Sequence, residues 1–452
     1  MCCMSVVFLA FVLFAAAMAC CLIMGYSMAW GLAAGLVLFF LAAVRRGFSF
    51  RAVCTMAWKG AKRAFLVMRI LLLIGLITAL WRSGGVIAFC AYYGVRLVTP
   101  RLFLLIAFLV SAVVSFAIGT SFGVTGTIGV IFMAIARGGG VNELMAAGAV
   151  ISGAYFGDRC SPASSCANLV ATITETTLYG NVRAMLRSGA IPTLLTIGGF
   201  LVLSLYNPLS TADNALLGLL TQEYALPFYV ALPVVLMLAL PLLKVDVRIA
   251  MASSIGASFL LTVLLQGRPV GETLLACLMG YAPQSEALTP ILSGGGLISM
   301  LTVSIILLLS SSYSGIFEGT GMLSGIHEKL TKLASRAGAF PAMLLTGTAS
   351  AMVFCNQTIA AILADQLMRP AYAALGKTNE ERALDISDSL VMTSGLVPWS
   401  VAAMVPLSML GVDAGALPFC LLLIFTPLCR LAGALFVQLK AKQKRKKLTA
   451  PC

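Results

Sequence analysis

Almost the whole chain is divided into long apolar runs separated by short polar turns, a pattern that very few folds can accommodate. Runs of a length able to cross roughly 30 Å of hydrocarbon, about 17 to 25 residues as helix, fall near 4–24, 28–43, 63–81, 102–117, 120–136, 143–178, 189–206, 225–243, 249–266, 294–313, 340–354, 356–374, 382–408 and 413–436. The stretch 268–283 reads as an extension of a neighbour or a re-entrant segment, while 82–101 and 318–335 are amphipathic enough to lie at a membrane interface. In lipid an open chain must satisfy its own backbone groups, and these runs lack the alternation of a transmembrane barrel, so they are predicted to be helices.

Composition excludes the alternatives. Of 452 residues 60% are hydrophobic and only 10% charged, with a mean hydropathy of +1.01. A soluble domain is about a quarter charged and under half apolar, which rules out a water-soluble enzyme, a secreted disulfide scaffold and a disordered regulator. The polar stretches 44–62, 207–224 and 440–452 are each too short to bury a core. The first 24 residues lack a basic leader and are apolar for too long to be a signal peptide, so they read as a first transmembrane helix.

The net charge of +14 reports topology, not a nucleic-acid partner. With the N-terminus inside and a crossing at each run, the segments 44–63, 183–187, 244–248, 329–336, 369–382 and 440–447 share one side and carry 22 of the 30 basic residues. Arg82, Arg96, Arg101, Arg137 and Arg268 lie opposite, and Arg69, Arg159 and Arg430 fall within spans. Both termini are therefore expected in the cytoplasm. The 13 cysteines include no Cys-x-x-Cys, and the single histidine, His327, completes no zinc set, so cysteine is read as a small buried hydrophobe and no cofactor is expected.

One internal offset, 236 residues, superposes Gly85 on Gly321, Thr120 on Asn356, Gly140 on Gly376 and Pro162 on Pro398. Charge inverts across it: the basic loop 44–63 maps onto 280–299, which has no Lys or Arg, and 207–224 maps onto the basic tail. Two repeats of opposite orientation produce that inversion, as in many secondary transporters. The predicted fold class is an all-α polytopic membrane protein of about 11–14 transmembrane helices in two inverted-topology repeats, with broken helices at the centre. The first repeat is placed at 1–224, the second at 225–439, and 440–452 is a basic cytoplasmic tail.

Polar groups inside spans are functional candidates, because each is costly in hydrocarbon. They fall in two pairs of clusters. Gly119 to Gly123, with Thr120 and Ser121, precedes by about 40 residues the block Gly157-Asp158-Arg159-Cys160-Ser161-Pro162, which continues through Ser164 to Asn168. Asn356-Gln357-Thr358 precedes Asp385, Asp388 and the Thr393 to Ser400 run containing Pro398. A mid-helix proline frees backbone carbonyls, and transporters use such breaks to coordinate cations. A hard cation such as Na⁺ takes carboxylate, hydroxyl and carbonyl oxygens. Asp158 and Asp388 supply charge; Thr120, Ser121, Ser161, Ser164, Asn168, Asn356, Gln357 and Thr393 supply neutral ligands. For each hydroxyl the plainer reading is a hydrogen bond within or between helices; Asp158 is read as pairing with adjacent Arg159 in the plain case, and Asp365 is read as a second titrating site or a helix-pairing group.

The block Tyr155-Phe156-Gly157-Asp158-Arg159-Cys160-Ser161-Pro162 with Asn168-Leu169, the later Asp388-Ser389 and Val397-Pro398-Trp399, and Trp81, Gly85 and Tyr92-Tyr93-Gly94 resemble the NhaC family of Na⁺/H⁺ antiporters within the ion transporter superfamily. The similarity runs from about 60 to 435. It implies secondary active transport in which Na⁺ and H⁺ compete at buried carboxylates, by alternating access, with a bacterial inner membrane as its location and the lipid bilayer, Na⁺ and H⁺ as partners; a homodimer stays open. The family's Ser-Pro-x-Ser-Asp stretch has Ser165 in place of the acid here. That leaves room for a Na⁺- or H⁺-coupled carrier of a small carboxylate or amino acid, with Arg159 as the clamp on the carboxylate. A membrane-embedded protease is disfavoured because Tyr155 occupies the glycine position of a Gly-x-Gly-Asp motif, and a passive channel because two opposed breaks suit gating from alternate sides.

Overall fold

The structure is a computed structural model and describes residues 2–97, 99–209, 214–243, 245–322 and 327–448. Lys244, residues 323–326 of the second amphipathic segment and the last four residues of the basic tail lie outside them. Among the described residues the chain is helical from end to end, with one isolated backbone bridge, Tyr281 to Gly294, and no strand.

Six helices are long and apolar enough to cross a membrane: Met28–Arg45, Pro100–Ile118, Ser121–Gly138, Leu178–Tyr206, Arg248–Leu265 and Ile298–Thr320. Met68–Ser83 and Val86–Gly94, bent by 66°, make a seventh if taken together. The other apolar runs are built from shorter helices, among them Val6–Cys21, Ala339–Phe354, Val401–Leu410 and Leu421–Val437. The run 143–178 is two helices, Glu143–Cys160 and Ser165–Thr174, and 382–408 is three, Asn379–Asp388, Leu390–Ser394 and Val401–Leu410. Proline, glycine and serine at the junctions interrupt the helical ladder while the apolar composition continues across them, so hydropathy registers one run.

The 236-residue spacing recurs in the backbone. Phe103–Ile118 corresponds to Ala339–Phe354, and Ser165–Thr174 to Val401–Leu410, at both ends of each helix. The helices that begin at Ser121 and Glu143 have counterparts beginning at Gln357 and Asn379. The turns repeat too: Gly119 and Cys355 both close a helix in the left-handed region, at φ 78° and 54°. Ser164 and Ser400 both cap the helix that follows.

Small residues set the helix spacing. Helices Phe50–Ser83 and Leu301–Thr320 meet backbone to backbone at Gly60 and Gly315, the close approach that small residues permit in membranes. The helical pair at the N-terminus docks on the same helix through Phe11, Phe14 and Phe39 against Tyr313 and Phe317, at ring separations of 4.6 to 6.0 Å. Large apolar side chains such as Phe8, Ile23 and Leu194 point outward at 70%, 82% and 67% exposure. A surface of that kind is stable against lipid, not water.

Candidate functional site

The site begins with glycine. The helices Phe103–Ile118 and Glu143–Cys160 lie so close that a side chain on Gly157 would collide with the Ser115 backbone, and one on Gly153 with Phe108 and Ser111. Ser115 donates to the Ala154 carbonyl at 2.5 Å across this contact. Both helices then end. Gly119 turns the first at φ +78°, and a Cβ there would strike the main chain of Ala163 and Ser164, the irregular segment that follows the second. Two unwound segments are therefore pressed against each other, and Asp158 lies between them.

Asp158 is 5% exposed. Ser121, first residue of the next helix, donates to Oδ2 at 3.2 Å, and Ser164 donates to the Asp158 backbone carbonyl at 2.6 Å with Oδ1 at 3.3 Å. Among the described residues no Lys, Arg or His lies within ion-pair range of this carboxylate. Around it, Ser161 Oγ donates to the Phe116 carbonyl at 2.6 Å, Asn168 donates to Ser164 O at 2.7 Å and Pro162 O at 3.3 Å, and Thr120 caps its helix by accepting from the Gly123 amide. Of the first-repeat candidates Ser121 and Ser164 contact Asp158 directly, while Thr120 and Ser161 stand at the same two breaks with their hydroxyls engaged by backbone groups and Asn168 is exposed at the edge. The group offers one carboxylate with hydroxyl and carbonyl oxygens beside it, donors of the type that hard cations take.

Arg159 does not pair with Asp158. Successive helical residues project about 100° apart, and its guanidinium faces the other way: Nε and Nη2 donate to Asp388 Oδ1 at 3.1 and 2.5 Å, and Nη2 also to the Met185 carbonyl and Ser188 Oγ. Asp388 accordingly joins Arg159 and, at 3.8 Å, Arg430, and is not part of the Asp158 cluster. With Nε and Nη2 engaged by Asp388, Met185 and Ser188, the guanidinium is turned to Asp388 and not presented as a fork to a transported carboxylate. Asp385 is held by Arg430 at 2.9 Å and Tyr372 at 2.7 Å, and Asp365 by Arg382 at 2.7 Å and Arg369 at 3.1 Å. Asp365 thereby links its own helix to the one that carries Arg382.

The second-repeat candidates form their own junction. Val401 donates to the Cys355 carbonyl at 2.8 Å, joining the two breaks there. Asn356 caps its helix, Gln357 donates to the Val391 carbonyl at 3.2 Å, and Thr393 meets Thr348 at 3.2 Å. Pro398 lies in the turn before Val401 as Pro162 lies in the turn before Ser165. The residue equivalent to Asp158 is Ser394, fully buried and donating to Val391 O at 3.0 Å. The two halves touch where Tyr155, one turn before Asp158, donates to the Ala402 carbonyl at 2.7 Å and packs on Gly395.

Sequence reasoning missed Ser394, which follows from the offset once Asp158 is singled out, and the roles of Arg382 and Arg430 as partners of buried acids. Ser165, which replaces the family's acid, is exposed at the start of its helix. Among the described residues no three His, Cys, Asp or Glu side chains come together as a metal cluster.

Comparison with known proteins places the chain. The family model described as "Na+/H+ antiporter family" matches residues 1–174 and 153–431. The chain is 28% identical to the malate-2H⁺/Na⁺-lactate antiporter of Bacillus subtilis, over 84% of this chain and 83% of that one. It is 26% identical to the Na⁺/H⁺ antiporter NhaC of Alkalihalophilus pseudofirmus, over 79% of each, and 28% identical to the arginine/ornithine antiporter ArcD of Halobacterium salinarum, over 79% of this chain and 76% of that one.

Proposed function

The chain belongs to the Na⁺/H⁺ antiporter family, a family of membrane transporters and not of enzymes, and we propose that Asp158 is the group at which H⁺ and Na⁺ alternate. One observation carries this: among the described residues four aspartates are buried, and Asp158 is held by side-chain hydroxyls alone where Asp365, Asp385 and Asp388 each face a guanidinium. A carboxylate already neutralised by arginine has no need of a second cation. One held only by hydroxyls must take up a cation or a proton to remain buried, because an isolated charge in a medium of low dielectric is very costly.

Na⁺ would be bound by the Asp158 carboxylate with Ser121, Ser164 and Ser161 and by carbonyls freed at the Gly119 and Pro162 breaks; a proton on Asp158 turns it from acceptor to donor and removes the charge that holds the cation. Alternating access fits two inverted repeats that rock about the Tyr155 and Arg159 contacts. The excess of basic residues on one set of loops supports an inner membrane with both termini cytoplasmic. The test is collapse of an imposed proton gradient in inverted membrane vesicles on adding NaCl or LiCl. Asp158→Asn is expected to abolish that response with the protein still in the membrane, and a retained response would remove Asp158 from the exchange.

A second reading, coupling to a small organic anion or amino acid, is favoured by the relatives named for malate, lactate, arginine and ornithine. Arg159 does not serve it, for the reason given above.

A further inference from the structure

The helix Ser121–Gly138 carries the Asp158 cluster at its start and Arg137 at its end, sixteen residues or roughly 24 Å away. At that far end a cavity of about 420 Å³ is lined by Arg82, Arg137, Glu143, Gly295, Met300 and Met409, among others. Pockets of 300 to about 1,000 Å³ are the usual size for small ligands.

The charges in it do not balance. Arg137 Nε is paired with Glu143 at 2.7 Å, and its Nη2 donates to the Leu410 and Gly411 carbonyls. Arg82 is 5% exposed, its Nη1 donates to the Thr78 carbonyl at 2.9 Å, and its buried Nε has no hydrogen-bond partner. Among the described residues no carboxylate lies within ion-pair range of Arg82, so Glu143 answers Arg137 alone and the positive charge of Arg82 is left uncompensated. Buried guanidiniums are ordinarily paired. The opposite wall is main chain: Gly294, Gly295 and Gly296 all have positive φ, Gly296 donates to the Gly75 carbonyl at 2.9 Å, and a Cβ on Gly295 would press into the backbone of Thr78 and Ala79. The loop is thereby held against the helix one turn before Arg82. Met300 and Met409 give the same cavity apolar surface, which suits a hydrocarbon body better than an inorganic ion.

We propose that this cavity binds a small organic carboxylate, a mono- or dicarboxylate, with Arg82 as its charge partner. The site is separate from Asp158, and the proposal rests on the second reading above, carriage of a small organic anion, to which it gives a substrate class and a position.

The test uses the full-length protein. In detergent, thermal melting is followed while L-malate, L-lactate or chloride is titrated; in parallel, inverted vesicles are scored for a proton-gradient response to malate and lactate. Malate or lactate is expected to stabilise the wild type, Arg82→Gln to weaken the apparent affinity about ten- to a hundredfold, and Arg82→Lys to fall between, since an ammonium keeps the charge but loses the fork. If the glutamine variant fails to fold, the lysine variant carries the comparison. Equal stabilisation of wild type and variants overturns the site while leaving the organic-anion reading standing; a vesicle response without any Arg82-dependent stabilisation does the same. Stabilisation by chloride alone overturns the carboxylate assignment, and neither stabilisation nor response removes site and reading together.

Discussion

At the scale of single residues, the decisive contrast is between Asp158 and Arg159. They are neighbours in sequence, yet one is turned toward the hydroxyls of Ser121 and Ser164 and the other toward Asp388. Ser164 has three tasks: it caps the helix Ser165–Thr174 by accepting from the Cys166 and Ala167 amides, bonds the Asp158 carbonyl, and lies beside the carboxylate. Ser164→Ala is expected to destabilise the protein by about 1 kcal/mol through the lost cap and to raise the Na⁺ concentration for half-maximal proton release severalfold. Thermal melting and a Na⁺ titration of the vesicle response check the two effects separately; a variant that loses stability but keeps its Na⁺ titration would confine Ser164 to capping. Asp158 was legible in the sequence because Gly-Asp-Arg-Cys-Ser-Pro is dense in polar groups amid apolar surroundings. The placement of Asp388 with Arg159 was not, because a partner 229 residues away is chosen by packing.

At the scale of elements, glycine decides how near the helices come. Gly153 and Gly157, one turn apart, let Glu143–Cys160 lie against Phe103–Ile118 so that the two breaks coincide. Gly157→Val would push a branched side chain into the Ser115 backbone, and overpacking of that kind costs about 1–3 kcal/mol or more. The expected outcome is a lowered melting temperature together with loss of the Na⁺ response, since separating the helices also separates Ser121 from Asp158. A valine variant with normal exchange would show that the close approach is not what assembles the site. The broken helices themselves were announced by Pro162 and Pro398, but hydropathy merged the pieces on either side, because a span is counted by apolar composition and a helix ends by backbone geometry.

At the scale of the whole molecule, the 236-residue repeat reaches from turn to turn, yet its two halves are chemically unequal: Asp158 in the first stands where Ser394 stands in the second. We expect opposite orientation of the halves to appear in accessibility. In a background lacking the 13 native cysteines, Ser49→Cys is expected to react with a membrane-impermeant thiol reagent from the cytoplasmic side and Ser285→Cys, its equivalent, from the opposite side; labelling of both from one side would refute the inverted arrangement. The sequence by itself determined the membrane-spanning, all-helical class, the repeat and the polar breaks, because hydropathy, helix interruption and charge bias are local or additive along the chain. Only the tertiary structure decided which acids are neutralised, that Asp158 is held by hydroxyls alone, and that Arg82, among the described residues, lines a cavity with no carboxylate in ion-pair range of it. Those depend on which groups are brought together from distant helices, and in a medium that screens charge so weakly, that choice of neighbour sets what each ionisable group can do.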